Sequence, residues 1–134
     1  MNGRLLYLDA SAITKLVLRE AESEALHARV SGAHLVSSQL AQAEVTRAVR
    51  RSGAMGRLAP RLRLVLQRLS SIELDDANLH WAGQADPPQL RTLDAIHLAA
   101  ALLLMDQLDA FVTYDDLQAS AAAAVGLPVK SPGR

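Results

Sequence analysis

Short apolar runs recur along this chain between longer helical stretches, and that alternation restricts the fold more than any other feature. Arg4 to Leu8 carries Leu5-Leu6-Tyr7-Leu8, with Gly3 before it and Asp9-Ala10-Ser11 after it, and reads as a buried strand. A helical pattern follows from about Ser11 to Val30, with Ile13, Leu16, Val17 and Leu26 apolar and Arg19, Glu20, Glu22 and Glu24 polar. Gly32 punctuates it, and His34-Leu35-Val36-Ser37 is a second short strand. Ser37 or Ser38 can cap a helix over about Leu40 to Ser52 that stops at Gly53, and another helix covers Leu58 to Leu69. Ile72-Glu73-Leu74 alternates as a third strand, Ala77 to Ala85 is helical, and Asp86-Pro87-Pro88 breaks the chain. Leu93 to Leu108 is the most apolar helix, Ala110 to Thr113 is a strand before Asp115-Asp116, and an Ala-rich helix and Leu127-Pro128-Val129 follow. Strands alternating with helices imply an α/β layer fold with a small, mostly parallel sheet between helices.

The chain has 134 residues, the commonest size of a single domain, and shows no internal repeat and no dividing linker, so one domain over 1–134 is expected. With no Cys, it has no disulfide scaffold, no thiolate zinc or iron–sulfur site and no cysteine nucleophile. The longest uncharged stretch of the apolar region, Ala95 to Met105, is 11 residues, too short to span a bilayer. The Leu5–Leu8 run ends at once in an acid, unlike a secretory leader. A soluble, cytoplasmic protein is expected. The glycines are isolated and no Gly-x-Ser-x-Gly occurs, which argues against a phosphate-cradling loop and against a serine-hydrolase elbow.

Fourteen Lys+Arg balance fourteen Asp+Glu, but unevenly. Seven arginines (47, 50, 51, 57, 61, 63 and 68) stand between Arg47 and Arg68 with no acid among them. Arginine suits phosphates and carboxylates, although a solvated helix face would read the same way.

Four acids stand in apolar surroundings. Asp9 and Asp115 follow strands, where ligands of open α/β sheets bind, and each also suits a helix cap. Asp94 opens a helix that is apolar on nearly every side and is drawn inward with it, so it needs Arg91, backbone donors or a cation. Glu44 lies within the arc of Leu40, Ala41, Val45 and Ala48, with Arg47 and Arg50 pointing away, and a buried salt bridge to Arg91 or Arg51 is its plainest explanation. If the four carboxylates converge, they repel one another unless a divalent cation is present, and oxygen ligands select Mg2+ or Mn2+. His27, His34, His80 and His97 occur singly without ligand spacing, which disfavours zinc; His97, one turn after Asp94, reads first as a satisfied core residue. A carboxylate-held Mg2+ suits phosphodiester hydrolysis.

Leu6-Tyr7-Leu8-Asp9-Ala10-Ser11-Ala12, Ala43-Glu44-Val45 with Arg47, Arg91 to Ala99 around Asp94, and Val112-Thr113-Tyr114-Asp115 together resemble the motifs of PIN-domain ribonucleases, of the VapC-type toxin class in VapBC toxin–antitoxin pairs. The resemblance runs from residue 5 to about 129, and its block around Asp94 is the most specific. It implies a three-layer α/β/α sandwich with a small central parallel sheet, and a metal-dependent endoribonuclease acting as a toxin. It implies that Asp9, Glu44, Asp94 and Asp115 are the catalytic and metal-binding set for Mg2+ or Mn2+, with Asp9 and Asp94 the most direct ligands. Ser11 and Thr113 would orient a ligand or water. Spacing from Thr113 favours Asp115 over Asp116. The implied partners are an RNA substrate, a cognate antitoxin and a second copy in a homodimer, and Arg47, Arg50 and Arg51 are candidate RNA or antitoxin contacts. The rivals are a catalytically silent PIN-like binding module and a haloacid-dehalogenase-type phosphatase, though the latter wants an acid where Ser11 stands. The few aromatics, Tyr7, Trp81, Phe111 and Tyr114, give no marked base-stacking platform.

Overall fold

A computed structural model describes residues 3–134. The elements in chain order are β1 (Leu5–Leu8), α1 (Ala10–Val17), α2 (Ser23–Val30), β2 (His34–Ser38), α3 (Ala41–Arg51), α4 (Met55–Arg68), β3 (Leu69–Ile72), α5 (Asp76–Gln84), α6 (Thr92–Leu102), β4 (Ala110–Val112), α7 (Asp116–Ala124) and β5 (Val129–Lys130). The strands form one parallel sheet in the order β3-β2-β1-β4-β5. Side chains alternate across it, as pleating requires. Leu6, Leu8, Leu35, Ala110 and Val112 face α1–α4, whereas Tyr7, Val36 and Phe111 face α5–α7. The result is the expected three-layer α/β/α sandwich. No helix among the described residues is long and apolar enough to cross a membrane.

The strand order fixes where a ligand can bind. From β1 the chain moves outward through β2 to β3, then returns to β4 on the other side of β1 and moves outward again to β5. The order therefore reverses between β1 and β4, and the helices leaving their carboxyl ends diverge, opening a crevice there. Asp9 and Asp115 follow those two strands.

Three expected elements differ. The single helix over Ser11–Val30 is two, α1 and α2, because the buried Ser23 hydroxyl donates to the carbonyl of Lys15 and accepts the Glu20 N–H, taking backbone groups away from a continuing helix. The third strand is Leu69–Ile72 and not Ile72–Leu74; it is an edge strand, and its exposed Ser70 and Ser71 conceal the apolar pattern. Helix α6 ends at Leu102, with i→i−3 turns carrying the chain to Asp109, which bonds the Leu5 N–H and carbonyl and seats β4 beside β1.

Candidate active site

Asp9 is the N-cap of α1 as well as the end of β1. Its Oδ1 accepts the Ala12 N–H at 3.1 Å and the Ser11 hydroxyl at 2.6 Å, and its Oδ2 accepts the Thr113 hydroxyl from the end of β4. Ser11 Oγ accepts the Tyr114 N–H at 2.9 Å, so the two strand ends are tied through the acid. Asp9 is 2% exposed. Burial pushes its carboxyl above the usual range, against the Ser11, Thr113 and Ala12 hydrogen bonds that favour the charge.

Asp115 caps α7, accepting the Gln118 N–H at 2.8 Å. The doublet is resolved by direction: Asp115 lines the crevice, whereas Asp116 is almost fully exposed and pairs with Arg134. For both Asp9 and Asp115, capping and a place in the crevice are compatible.

Helix α3 buries Ala41, Val45 and Val49, while Leu40 is exposed, so the core-facing stripe excludes the Leu40 that the sequence put in it. Glu44 and Ala48 flank that stripe and face the crevice. The Glu44 partner is neither Arg51 nor Arg91. His97 Nε2 lies 2.7 Å from Glu44 Oε1, and His97 Nδ1 lies 2.7 Å from the Tyr7 hydroxyl. The imidazole is buried at 1% exposure, a satisfied core group as the sequence suggests, yet one end of it holds a crevice acid.

Asp94 stands in the first turn of α6, whose Ala95–Ala101 are all buried. Among the described residues, its carboxylate makes no side-chain hydrogen bond and no ion pair, so the pairing with Arg91 is absent. Burial first, then the charges of Asp115 and Asp9, push its carboxyl up to about 6. The favourable field of the helix N-terminus does not offset this.

Asp9, Glu44, Asp94 and Asp115 thus line one open cavity of about 430 Å³, with Ser11 beside them. Thr113 is fully buried behind Asp9 and reaches the cavity only through it. Lys15, Arg51, Arg91 and Arg134 also line the cavity, but no guanidinium or ammonium pairs with any of the four acids among the described residues. Lys15 is committed to Glu20 and Glu22, and Arg134 to Glu22 and Asp116. Four carboxylates with no lysine or arginine partner among the described residues fit a hard divalent ion by donor type. As they stand, no three Asp, Glu or His side chains among the described residues form a ready ligand set.

The basic stretch is divided. Arg51 lines the acidic cavity, whereas Arg47 and Arg50 are exposed outside it. Arg61 and Arg68 donate to the Leu16 and Val30 carbonyls and so fasten α4 to α1 and α2. Arg57 and Arg61 line a separate groove of about 700 Å³ in which Glu24 is the acid. Tyr7, Lys15 and Arg134 also stand at or near the site, beyond the candidate site residues that the sequence motifs single out. Tyr7 was legible as an aromatic with a polar tip inside a buried strand, where a buried hydroxyl needs a partner.

The PIN domain family model matches residues 6–124. Ribonuclease VapC46 of Mycobacterium tuberculosis is 45% identical over 128 residues, covering 95% of this chain and 97% of that protein. Ribonuclease VapC47 of the same species is 37% identical over 134 residues, covering 96% of this chain and 98% of that protein. Ribonuclease VapC35, also from that species, is 37% identical over 135 residues, covering 97% of this chain and 98% of that protein.

Proposed function

The chain belongs to the PIN-domain family, and from that premise we propose that it is an endoribonuclease dependent on Mg2+ or Mn2+, acting as the toxin of a type II toxin–antitoxin pair. The observation that carries the proposal is Asp94: a half-buried carboxylate without a side-chain partner among the described residues, raised by burial and then by the acids around it, at the switch point of a parallel sheet. Such an arrangement costs stability unless a cation is bound there. Ribonuclease names on relatives matched over nearly their whole length support the same substrate class. Both apolar layers pack on one sheet, which favours reading residues 1–134 as one domain. RNA, a cognate antitoxin protein and a second copy of the chain are the proposed partners, in the cytoplasm.

Asp9, Glu44, Asp94 and Asp115 would hold the ion, with Asp9 and Asp94 the most direct ligands. When bound, Mg2+ or Mn2+ lowers the pKa of water and neutralises charge developing on the phosphate. The chain's own contribution is orientation. Ser11 and Thr113 fix the two oxygens of Asp9, His97 fixes one oxygen of Glu44, and the Gln118 N–H fixes Asp115. Arg51 and Arg91 at the cavity suit the flanking phosphates of a polyanion. In the net reaction a water oxygen bonds to phosphorus, one P–O ester bond breaks, and the departing oxygen takes a proton.

The purified chain, incubated with RNA in Mg2+ or Mn2+, is expected to cut internally. EDTA and Asp94→Asn should each reduce the rate by at least about 10³-fold with the circular dichroism spectrum unchanged. Cleavage that survives both would overturn the proposal. Growth arrest on expressing the chain without its genomic neighbour, relieved by co-expression, tests the toxin role.

A further inference from the structure

We propose that Tyr7 and His97 are positioning residues for the reaction: a buried relay that starts at the Ser38 backbone N–H holds the His97 imidazole in its Nε2–H form and thereby sets the orientation of Glu44. This rests on the proposed nuclease reading, in which Glu44 is one of the acting carboxylates.

The proton directions follow from the donors. The Ser38 N–H donates to Tyr7 Oη at 3.0 Å, because a backbone amide can only donate. The phenol is protonated at neutral pH, its oxygen lies 2.7 Å from His97 Nδ1, and in the proposed relay its hydrogen is donated to that nitrogen. A Glu44 carboxylate can only accept, so His97 Nε2 carries the proton donated to Oε1 at 2.7 Å, and the proposed relay leaves Nδ1 bare to accept from Tyr7. Each link is fixed by packing. Tyr7 stacks on Phe111 at 5.3 Å between ring centroids and meets the imidazole edge-on at 5.7 Å. Tyr7 is fully buried, and its strand pairs with both β2 and β4. With Oε1 engaged, Oε2 is the Glu44 oxygen without a hydrogen bond among the described residues, and Glu44 lines the cavity. Glu44 belongs to α3 on one side of the sheet and His97 to α6 on the other, so the relay also fixes an acid of one helical layer against the layer that carries Asp94. Hydrogen-bond partners that orient ligating carboxylates are worth about 10–100-fold in metal affinity or activity.

Two substitutions at one position separate positioning of Glu44 from simple satisfaction of Tyr7. In His97→Gln the amide nitrogen occupies the region of Nε2 and can still donate to Glu44. In His97→Asn the shorter amide can accept from Tyr7 but cannot reach Glu44. The relay predicts that Gln keeps cleavage within about threefold, while Asn lowers kcat at least about tenfold with little change in KM. It also predicts that Asn weakens Mn2+ binding, read by calorimetry on the chain without RNA, at least about tenfold. A merely structural role for His97 predicts the opposite order. Tyr7→Phe keeps the ring stack and serves as the second variant should His97→Asn fail to fold. In long-range 1H–15N correlation spectra of histidine-labelled protein, wild-type His97 should show a protonated Nε2 and a bare Nδ1, and Tyr7→Phe should shift that population towards Nδ1–H. Equal behaviour of Asn and Gln in both cleavage and Mn2+ affinity, or a wild-type Nδ1–H tautomer, would overturn the relay. A wild-type chain that cuts no RNA would instead sink the nuclease reading, with the tautomer and Mn2+ measurements still deciding the relay.

Discussion

The Thr113 hydroxyl donates to Asp9 Oδ2 across a separation of 104 residues, joining the carboxyl ends of the central strand β1 and its neighbour β4 through one acid. Thr113 Oγ1 also accepts the Asp115 N–H at 3.2 Å, so a single hydroxyl bears on two of the four crevice acids. Thr113→Val keeps the shape and removes both bonds. The expected cost is about 1–3 kcal/mol of stability, the magnitude of losing a buried bond to a charged group. RNA cleavage should fall about tenfold, and Thr113→Ser should recover most of both losses. Denaturant unfolding and initial cleavage rates check this. A fully active Val variant would show that Asp9 holds its direction through Ser11 and Ala12 alone.

Asp94→Asn should make the protein more stable while making it inactive. Burial, then the charges of Asp115 and Asp9, push the folded carboxyl up to about 6 from its ordinary 3.8, so folding binds its proton more tightly. A raised folded pKa contributes stability that is fully present below the unfolded value and is lost as pH rises through the folded one. In EDTA the Asn variant and the wild type should therefore melt alike near pH 4, with the variant ahead from pH 6 upward. Two units correspond to about 3 kcal/mol. Because Asp94 is only half buried, about 1–2 kcal/mol is the expected gain after solvent screening, or about 3–8 °C in Tm. A variant that melts below the wild type at pH 8 would show that Asp94 has a stabilising partner after all.

How much was legible follows from which interactions are local. Asp9 and Asp115 could be read because apolar strand followed by acid is a contiguous pattern, and both lie in the crevice. Asp94 could be read because an acid opening an all-apolar helix conflicts with its surroundings. Glu44 does face the crevice, although Leu40, which the sequence pattern puts in the same arc, is exposed. Its actual partner lies 53 residues away on a helix of the opposite layer, and no spacing along the chain encodes that. Likewise β3 does not show in the apolar pattern because its serines are set by an exposed sheet edge, and the α1–α2 break arises from a serine whose partners are backbone groups.

Divalent cations should reverse the instability of the crevice. An ion that binds only the folded chain adds about 2.7 kcal/mol when its free concentration is 100 times the Kd. Mn2+ should therefore raise the wild-type Tm by several degrees at pH 8, and the gain should shrink sharply in Asp94→Asn or Asp9→Asn. Ca2+, which prefers more ligands and longer distances, should act more weakly. The melting curve reads binding without RNA, so it stands whatever the substrate is. Equal Mn2+ shifts in the wild type and in both Asn variants would put the ion elsewhere.

Arginines 47, 50 and 51, at i, i+3 and i+4, are neighbours at the carboxyl end of α3, yet only Arg51 lines the acidic cavity. If phosphates flank the cut bond there, Arg51→Ala should raise KM for RNA about five- to tenfold and lower the slope of log affinity against log salt by about one, as loss of a single phosphate contact does. Arg47→Ala and Arg50→Ala should stay within about twofold, because exposed charges outside the cavity add only screened, long-range attraction. Arg51 makes no salt bridge among the described residues, so its removal should leave Tm within about 1 °C. Titrations of RNA binding in EDTA at several salt concentrations separate affinity from chemistry. A uniform effect of all three substitutions would assign the whole basic helix end to the nucleic acid, with no special place for the cavity wall.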